Sequence, residues 1–206
     1  MELKHELARD LLAIKAVQIN TQAYFTWTSG IKSPIYCDNR LSMSHPRVRR
    51  KISEAFTQII ENMEVTPDVI AGCATAGIPH AAWLSEKLNL PMVYVRSKPK
   101  GHGKENQIEG KMEKGQKVLV IEDLISTGSS SIEAAIALRN EGAEVIGVLA
   151  IFTYGLQKSI QQFSTKNLPV QTITGFDQLV DALVEDNKIE ETEKSELVAW
   201  RNALGT

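Results

Sequence analysis

A repeated pairing limits what this chain can fold into: a short, continuously apolar run, then a stretch with helical period. Runs at 68–72, 91–96, 117–122, 144–152 and 170–174 read as strands. Segments 78–88, 129–141 and 155–163 between them repeat apolar residues at helical spacing. Parallel neighbours need a crossover, and its helix covers one face of the sheet. Strands apolar on both faces therefore predict an α/β fold, a mainly parallel sheet flanked by helices. In such sheets ligands bind beyond the carboxyl ends of the strands. That rule singles out the loops beginning near Gly72, Arg96 and Glu122.

The remaining segments are less regular. Leu3, Leu7, Leu11, Ile14 and Val17 fall at steps of three and four, predicting one amphipathic helix over 2–19. Residues 24–40 are aromatic and turn-rich, and read as a strand, a turn at Ser29-Gly30 and a second strand. A helix follows Ser44 and Pro46, with Val48, Ile52, Phe56, Ile59 and Ile60 on one side. Residues 97–115 carry no period and read as one long loop. Helices near 176–184 and 189–203 end the pattern, and the acidic run 185–196 suits a solvated face.

Composition excludes several function classes. Lys plus Arg is 23 and Asp plus Glu is 25, a net charge of −2, so no broad attraction to nucleic acid or membrane is expected. The longest apolar run, 145–152, falls far short of the roughly 20 residues a spanning helix needs. The charged start, MELKHELARD, has no apolar leader core. Cys37 and Cys73 form no CxxC pair, which points to a cytoplasmic setting and buried thiols. His5, His45, His80 and His102 show no metal-ligand spacing, so no protein-held metal is expected.

Two loops carry chemistry. In VLVIEDLISTGSS (118–130) an apolar strand ends in Glu122 and Asp123, and Ser126-Thr127-Gly128-Ser129-Ser130 then opens a helix. A helix N-terminus offers unpaired N–H groups and positive potential to a phosphate, and small hydroxyl residues let it approach. The two acids repel phosphate but accept hydrogen bonds from sugar hydroxyls. Together they describe a ribose 5-phosphate site. The second loop, RSKPKGHGK (96–104), holds Arg96, Lys98, Lys100, His102 and Lys104 with no acid among them. Cations at a strand end beside a phosphate site suit a closing lid. The small loop Gly72-Cys73-Ala74-Thr75-Ala76-Gly77 fits either backbone donation to a phosphate or a plain tight turn.

VLVIEDLISTGSS resembles the phosphoribosyl pyrophosphate (PRPP) motif of the type I phosphoribosyltransferases. The resemblance implies that Glu122 and Asp123 hold the ribose hydroxyls and Ser126 to Ser130 the 5-phosphate. Leu124 and Ile125 complete the PRPP segment. Lys100-Gly101-His102-Gly103 is similar to the lid of the orotate phosphoribosyltransferases, and FTWTSGIKSPIYCDNR to their FTxxSGxKSPxY hood. This implies Lys100 and His102 as catalytic residues, Arg96 as a further PRPP ligand, and Lys32, Ser33, Tyr36 and Ser126 at or near the orotate pocket. It also implies Mg²⁺ carried mainly by PRPP, and a homodimer whose lids reach into each other's sites. One domain is expected: a hood over roughly 1–40, a PRPP-binding core over roughly 41–175, and C-terminal helices to 206. The chain departs from one branch of the family at three cation positions, with Thr28, Ala76 and Tyr154 in place of two lysines and an arginine. Arg96 and the lid lysines then bear more of the charge. The expected reaction is transfer of the phosphoribosyl group to orotate. A purine-base transferase and a PRPP-sensing regulator are the alternatives; the hood argues against the first, and the lack of a basic face against the second.

Overall fold

The computed structural model describes residues 2–21, 23–26, 32–98 and 107–204. In chain order these form α1 (Glu2–Ala13), β1 (Val17–Ile19), β2 (Phe25–Thr26), β3 (Lys32–Ser33), β4 (Ile35–Cys37), a 3-10 turn (Asn39–Ser44), α2 (Pro46–Glu61), β5 (Val69–Cys73), α3 (Gly77–Leu88), β6 (Met92–Val95), β7 (Ile108–Glu109), β8 (Lys117–Ile125), α4 (Ser129–Asn140), β9 (Glu144–Thr153), α5 (Gln157–Thr165), β10 (Val170–Gly175), α6 (Phe176–Glu185) and α7 (Glu191–Ala203). Among the described residues no helix is long and apolar enough to cross a membrane.

Six strands form one sheet in the order β10-β9-β8-β5-β6-β7, parallel except for the β6–β7 pair. Its strands are apolar on both faces because each face packs against helices. Val118 and Val120 join a core with Ile132, Leu138 and Phe163 of α4 and α5. Leu119 and Ile121 join the other core, with Leu7, Ile52, Phe56 and Leu84 of α1, α2 and α3. Each fully buried aliphatic side chain contributes about 1.5–3 kcal/mol, so packing rather than helix propensity holds the layers.

From β5 the chain runs through α3 to β6 on one side. From β8 it runs through α4 to β9 on the other. The two connections diverge between adjacent strands and open a crevice at their carboxyl ends. Gly77 lets α3 start close to β8, since a Cβ there would overlap the Ile121 carbonyl oxygen. Two antiparallel pairs, β1 with β4 and β2 with β3, form the hood segment beside this crevice. The Trp200 indole N–H of α7 donates to the Lys32 carbonyl at 3.3 Å.

Several boundaries differ from the sequence expectation. Helix α1 stops at Ala13, because Lys15 takes a left-handed φ of 59°; Val17 then pairs with Cys37 in a ladder instead of continuing the helix. The stretch 97–115 is not one loop. Ile108 and Glu109 pair with Val95 and Tyr94, and Arg96 N–H donates to Gln107 O at 2.8 Å, so a hairpin neck closes it. Strand β8 runs past the two acids to Ile125, paired with Thr153 of β9. Helix α5 starts at Gln157 rather than 155, after a left-handed Gly155 and an extended Leu156. The turn at Ser29-Gly30 lies outside the described residues.

Candidate active site

Above the divergence of β5 and β8 lies a cavity of about 410 Å³. Three walls meet there: Cys37, Asp38 and Arg40 from the hood side, Ala74, Thr75 and Ala76 after β5, and Glu122, Asp123, Leu124 and Ser130 from β8 and α4. Glu122 is only 5% exposed. One of its carboxylate oxygens accepts the Ser130 hydroxyl at 2.9 Å, and the other accepts the Asp123 N–H at 3.1 Å. Burial, and then the charge of Asp123, push its carboxyl above the usual range. Burial raises Asp123 as well. Two partly desolvated acids side by side line the cavity, and their oxygens can accept hydrogen bonds from ribose hydroxyls.

Residues 126–129 form the turn into α4. Gly128 takes a left-handed φ of 84°, and a Cβ there would lie 2.5 Å from the Phe163 ring. The hydroxyls of Thr127 and Ser129 lie 3.1 Å apart, and Ser131 donates to the Gly128 carbonyl at 3.1 Å. No side chain at the N-cap of α4 bonds its first N–H groups. These donors can meet an anion.

The hood wall is fixed by polar clasps. Arg40 donates to both oxygens of Asp38, at 2.6 and 2.9 Å. Asn39 is 1% exposed and donates from Nδ2 to the Asp123 carbonyl at 2.7 Å, tying the 3-10 turn to β8. Ser42 donates to the Asn39 carbonyl at 2.6 Å, and its hydroxyl lies 3.4 Å from His80 Nε2. Burial pushes His80 down to about 4, so it is neutral at physiological pH.

The structure thus brings together four of the sequence-predicted PRPP residues as cavity lining: Glu122, Asp123, Leu124 and Ser130. Ser126, Thr127, Gly128 and Ser129 occupy the adjoining turn. Ile125 is buried, and its carbonyl accepts the Tyr154 N–H at 3.1 Å and the Thr153 hydroxyl at 3.2 Å, so it anchors the strand end. Arg96 is not on the cavity wall. Its guanidinium lies 3.6 Å from Glu109, an ion pair too long for a hydrogen bond. Lys100, His102 and Thr28 lie outside the described residues.

Lys32 and Tyr36 do not line the cavity. Lys32 is exposed on β3, and Tyr36 sets its ring 5.9 Å from Phe25. Ser33 is buried in a local turn, donating to Ile35 O at 2.6 Å. Ala76 is on the wall, whereas Tyr154 is core, 4% exposed and edge-on to Phe152. Burial raises the thiols of Cys37 and Cys73 above their ordinary range; Cys73 is buried as expected, whereas Cys37 is half-buried on the cavity wall. Asp38, Asn39 and Arg40 end the hood string FTWTSGIKSPIYCDNR, beyond its FTxxSGxKSPxY pattern, and the sequence alone assigns them no separate role. Among the described residues no group of three or more His, Cys, Asp or Glu could hold a metal ion.

Comparison with known proteins bears on what this arrangement is for. The profile of the phosphoribosyl transferase domain matches residues 43–175. The chain is 59% identical over 202 residues to an orotate phosphoribosyltransferase of Oceanobacillus iheyensis, covering 98% of this chain and 100% of that one. It is 53% identical over 204 residues to one of Fusobacterium nucleatum, covering 98% and 97%. The crystal structure of an orotate phosphoribosyltransferase from Aeropyrum pernix superposes with a TM-score of 0.76 at 26% identity, over 86% of this chain and 97% of that one.

Proposed function

The chain belongs to the orotate phosphoribosyltransferase family, and from that membership we propose how its residues divide the reaction. The enzyme transfers the 5-phosphoribosyl group of PRPP to orotate, giving orotidine 5′-phosphate and pyrophosphate, in pyrimidine synthesis. The observation that carries our reading of the site is the buried acid pair, Glu122 and Asp123, sharing one cavity with the first turn of α4. Its acids accept the ribose 2- and 3-hydroxyls. The turn from Ser126 to Ser130 receives the 5-phosphate on backbone N–H groups and hydroxyls. For this, the Ser130 hydroxyl exchanges its bond to Glu122 for the ligand. The Ala74 N–H is taken by the Val95 carbonyl at 2.9 Å, so the N–H groups of Thr75 and Ala76 face the diphosphate, and Ser126 borders the orotate.

Orotate N1 attacks C1 of the ribose as the bond from C1 to the diphosphate oxygen breaks, so the ribose acquires oxocarbenium character and the leaving group gathers negative charge. Lys100 and His102 donate to that leaving group, Arg96 adds charge beside them, and the closed loop keeps water from the sugar cation. In a homodimer this loop comes from the neighbouring subunit, so the shared site makes assembly a condition of turnover. The setting is the cytoplasm. Mg²⁺ brought in mainly by PRPP would offset the diphosphate charge, and the hard carboxylate oxygens of Glu122 and Asp123 would suit such an ion without a dedicated protein cage.

The test is to mix the protein with orotate, PRPP and Mg²⁺ and follow the loss of orotate's ultraviolet absorbance. Loss that needs all three, and that adenine or xanthine cannot replace as acceptor, is expected; constant absorbance would overturn the reading. Lys100→Ala should lower kcat by on the order of 10²–10³ with circular dichroism unchanged. Near-normal turnover in that variant would remove Lys100 from the chemistry.

A further inference from the structure

Orotate bears a carboxylate beside its reacting nitrogen, so its pocket must supply positive charge to a planar anion. The described wall of the cavity is mostly the wrong sign, holding Asp38, Glu122 and Asp123. Arg40 is the one cation among the described residues that line it. It is more tightly placed than an ordinary surface arginine. Asp38 engages one edge of the guanidinium through Nε and Nη2, and also accepts the Arg40 backbone N–H at 3.2 Å. The other edge, Nη1 with the second hydrogen of Nη2, makes no hydrogen bond among the described residues. Asn39, clasped to the Asp123 carbonyl, fixes the turn that carries this side chain against the acid pair. Arg40 therefore sits where the hood meets the ribose subsite, with its plane already set.

The phosphates of PRPP have other partners. The 5-phosphate has the N-terminus of α4, and the diphosphate has the small loop at 74–76 and the cationic segment 96–104. Among the described wall residues, only Arg40 offers the carboxylate a counter-charge, and a planar two-donor edge matches a carboxylate. Building on the orotate reading above, we propose that Arg40 is a substrate-contacting residue that binds the orotate carboxylate and sets the preference for a base bearing one. Asp38 is its positioning partner.

The experiment compares wild type, Arg40→Ala and Arg40→Lys, with KM measured separately for orotate and PRPP. Uracil, the same ring without the carboxylate, serves as a second acceptor. Arg40→Ala should raise the orotate KM by about 10- to 100-fold, the worth of a charge-assisted contact. The PRPP KM should hold, the orotate-to-uracil ratio of kcat/KM should narrow, and Arg40→Lys should recover part of the loss. The thermal midpoint should not move, because the Arg40 side chain is largely exposed. An unchanged orotate KM, or an equal or larger rise in the PRPP KM, would overturn the assignment. Wild type that fails to consume orotate would instead overturn the parent reading, an outcome separable from normal wild-type turnover that Arg40→Ala leaves intact.

Discussion

At the scale of single residues, Glu122 costs the ligand-free protein stability. Its carboxyl is raised by burial and by Asp123, so the folded chain keeps this proton to higher pH than the unfolded chain does. The folded state then binds more protons, and stability falls as pH rises above the ordinary carboxylate range. Glu122→Gln keeps an acceptor for Ser130 and removes the charge. Without substrates, this variant should unfold at higher urea than wild type at about pH 8, and the gap should close near about pH 4, where both forms are neutral. Its kcat/KM for PRPP should fall. A gap of constant size across that range would refute the account. Glu122, Asp123 and the serines were legible in the sequence because a strand, an acid pair and a hydroxyl-rich helix start form one contiguous string. Arg40 was not, because its meaning comes from Asp38 gripping it and from Asn39 reaching 84 residues along the chain to Asp123.

At the scale of elements, the approach of α3 to β8 sets the width of the crevice. Gly77→Ala would drive a methyl into the Ile121 carbonyl. Overpacking of this kind costs about 1–3 kcal/mol, so urea denaturation should show a lower midpoint. The PRPP KM should rise with it, since the helix carries the 74–76 loop. An unchanged midpoint would mean the helix slides freely. The sheet strands and their helices were readable because burial on both faces imposes continuous apolar runs, and helix packing imposes a period. The short pieces were not. Val17 lies at a helical step from Ile14, and nothing local marks Lys15 as the residue that turns left-handed. Strand β7 is two residues long and exists because β6 offers it an edge. Neither the 3-10 turn nor β1 has a signal apart from the partner it meets.

At the scale of the whole molecule, the proposal that subunits share an active site makes a mixing experiment decisive. Lys100→Ala would impair the loop a subunit lends, and Asp123→Asn the pocket it keeps. Combined after dissociation and reassociation, the two variants should regain about a quarter of wild-type activity, as half the dimers then hold one intact site of two. No recovery would mean that each subunit's loop serves its own cavity. The α/β architecture itself followed from the alternation of runs, and its strand order explains where the crevice lies. The walls of that crevice come from stretches far apart in the chain, 37–40, 74–76 and 122–130. The first of these is a short peripheral stretch, clasped to the sheet by the Asn39 side chain, which donates to the Asp123 carbonyl. With Arg40 reading the acceptor as proposed, the choice of base could be rewritten in one small patch of sequence, while the machinery that activates the sugar is inherited untouched.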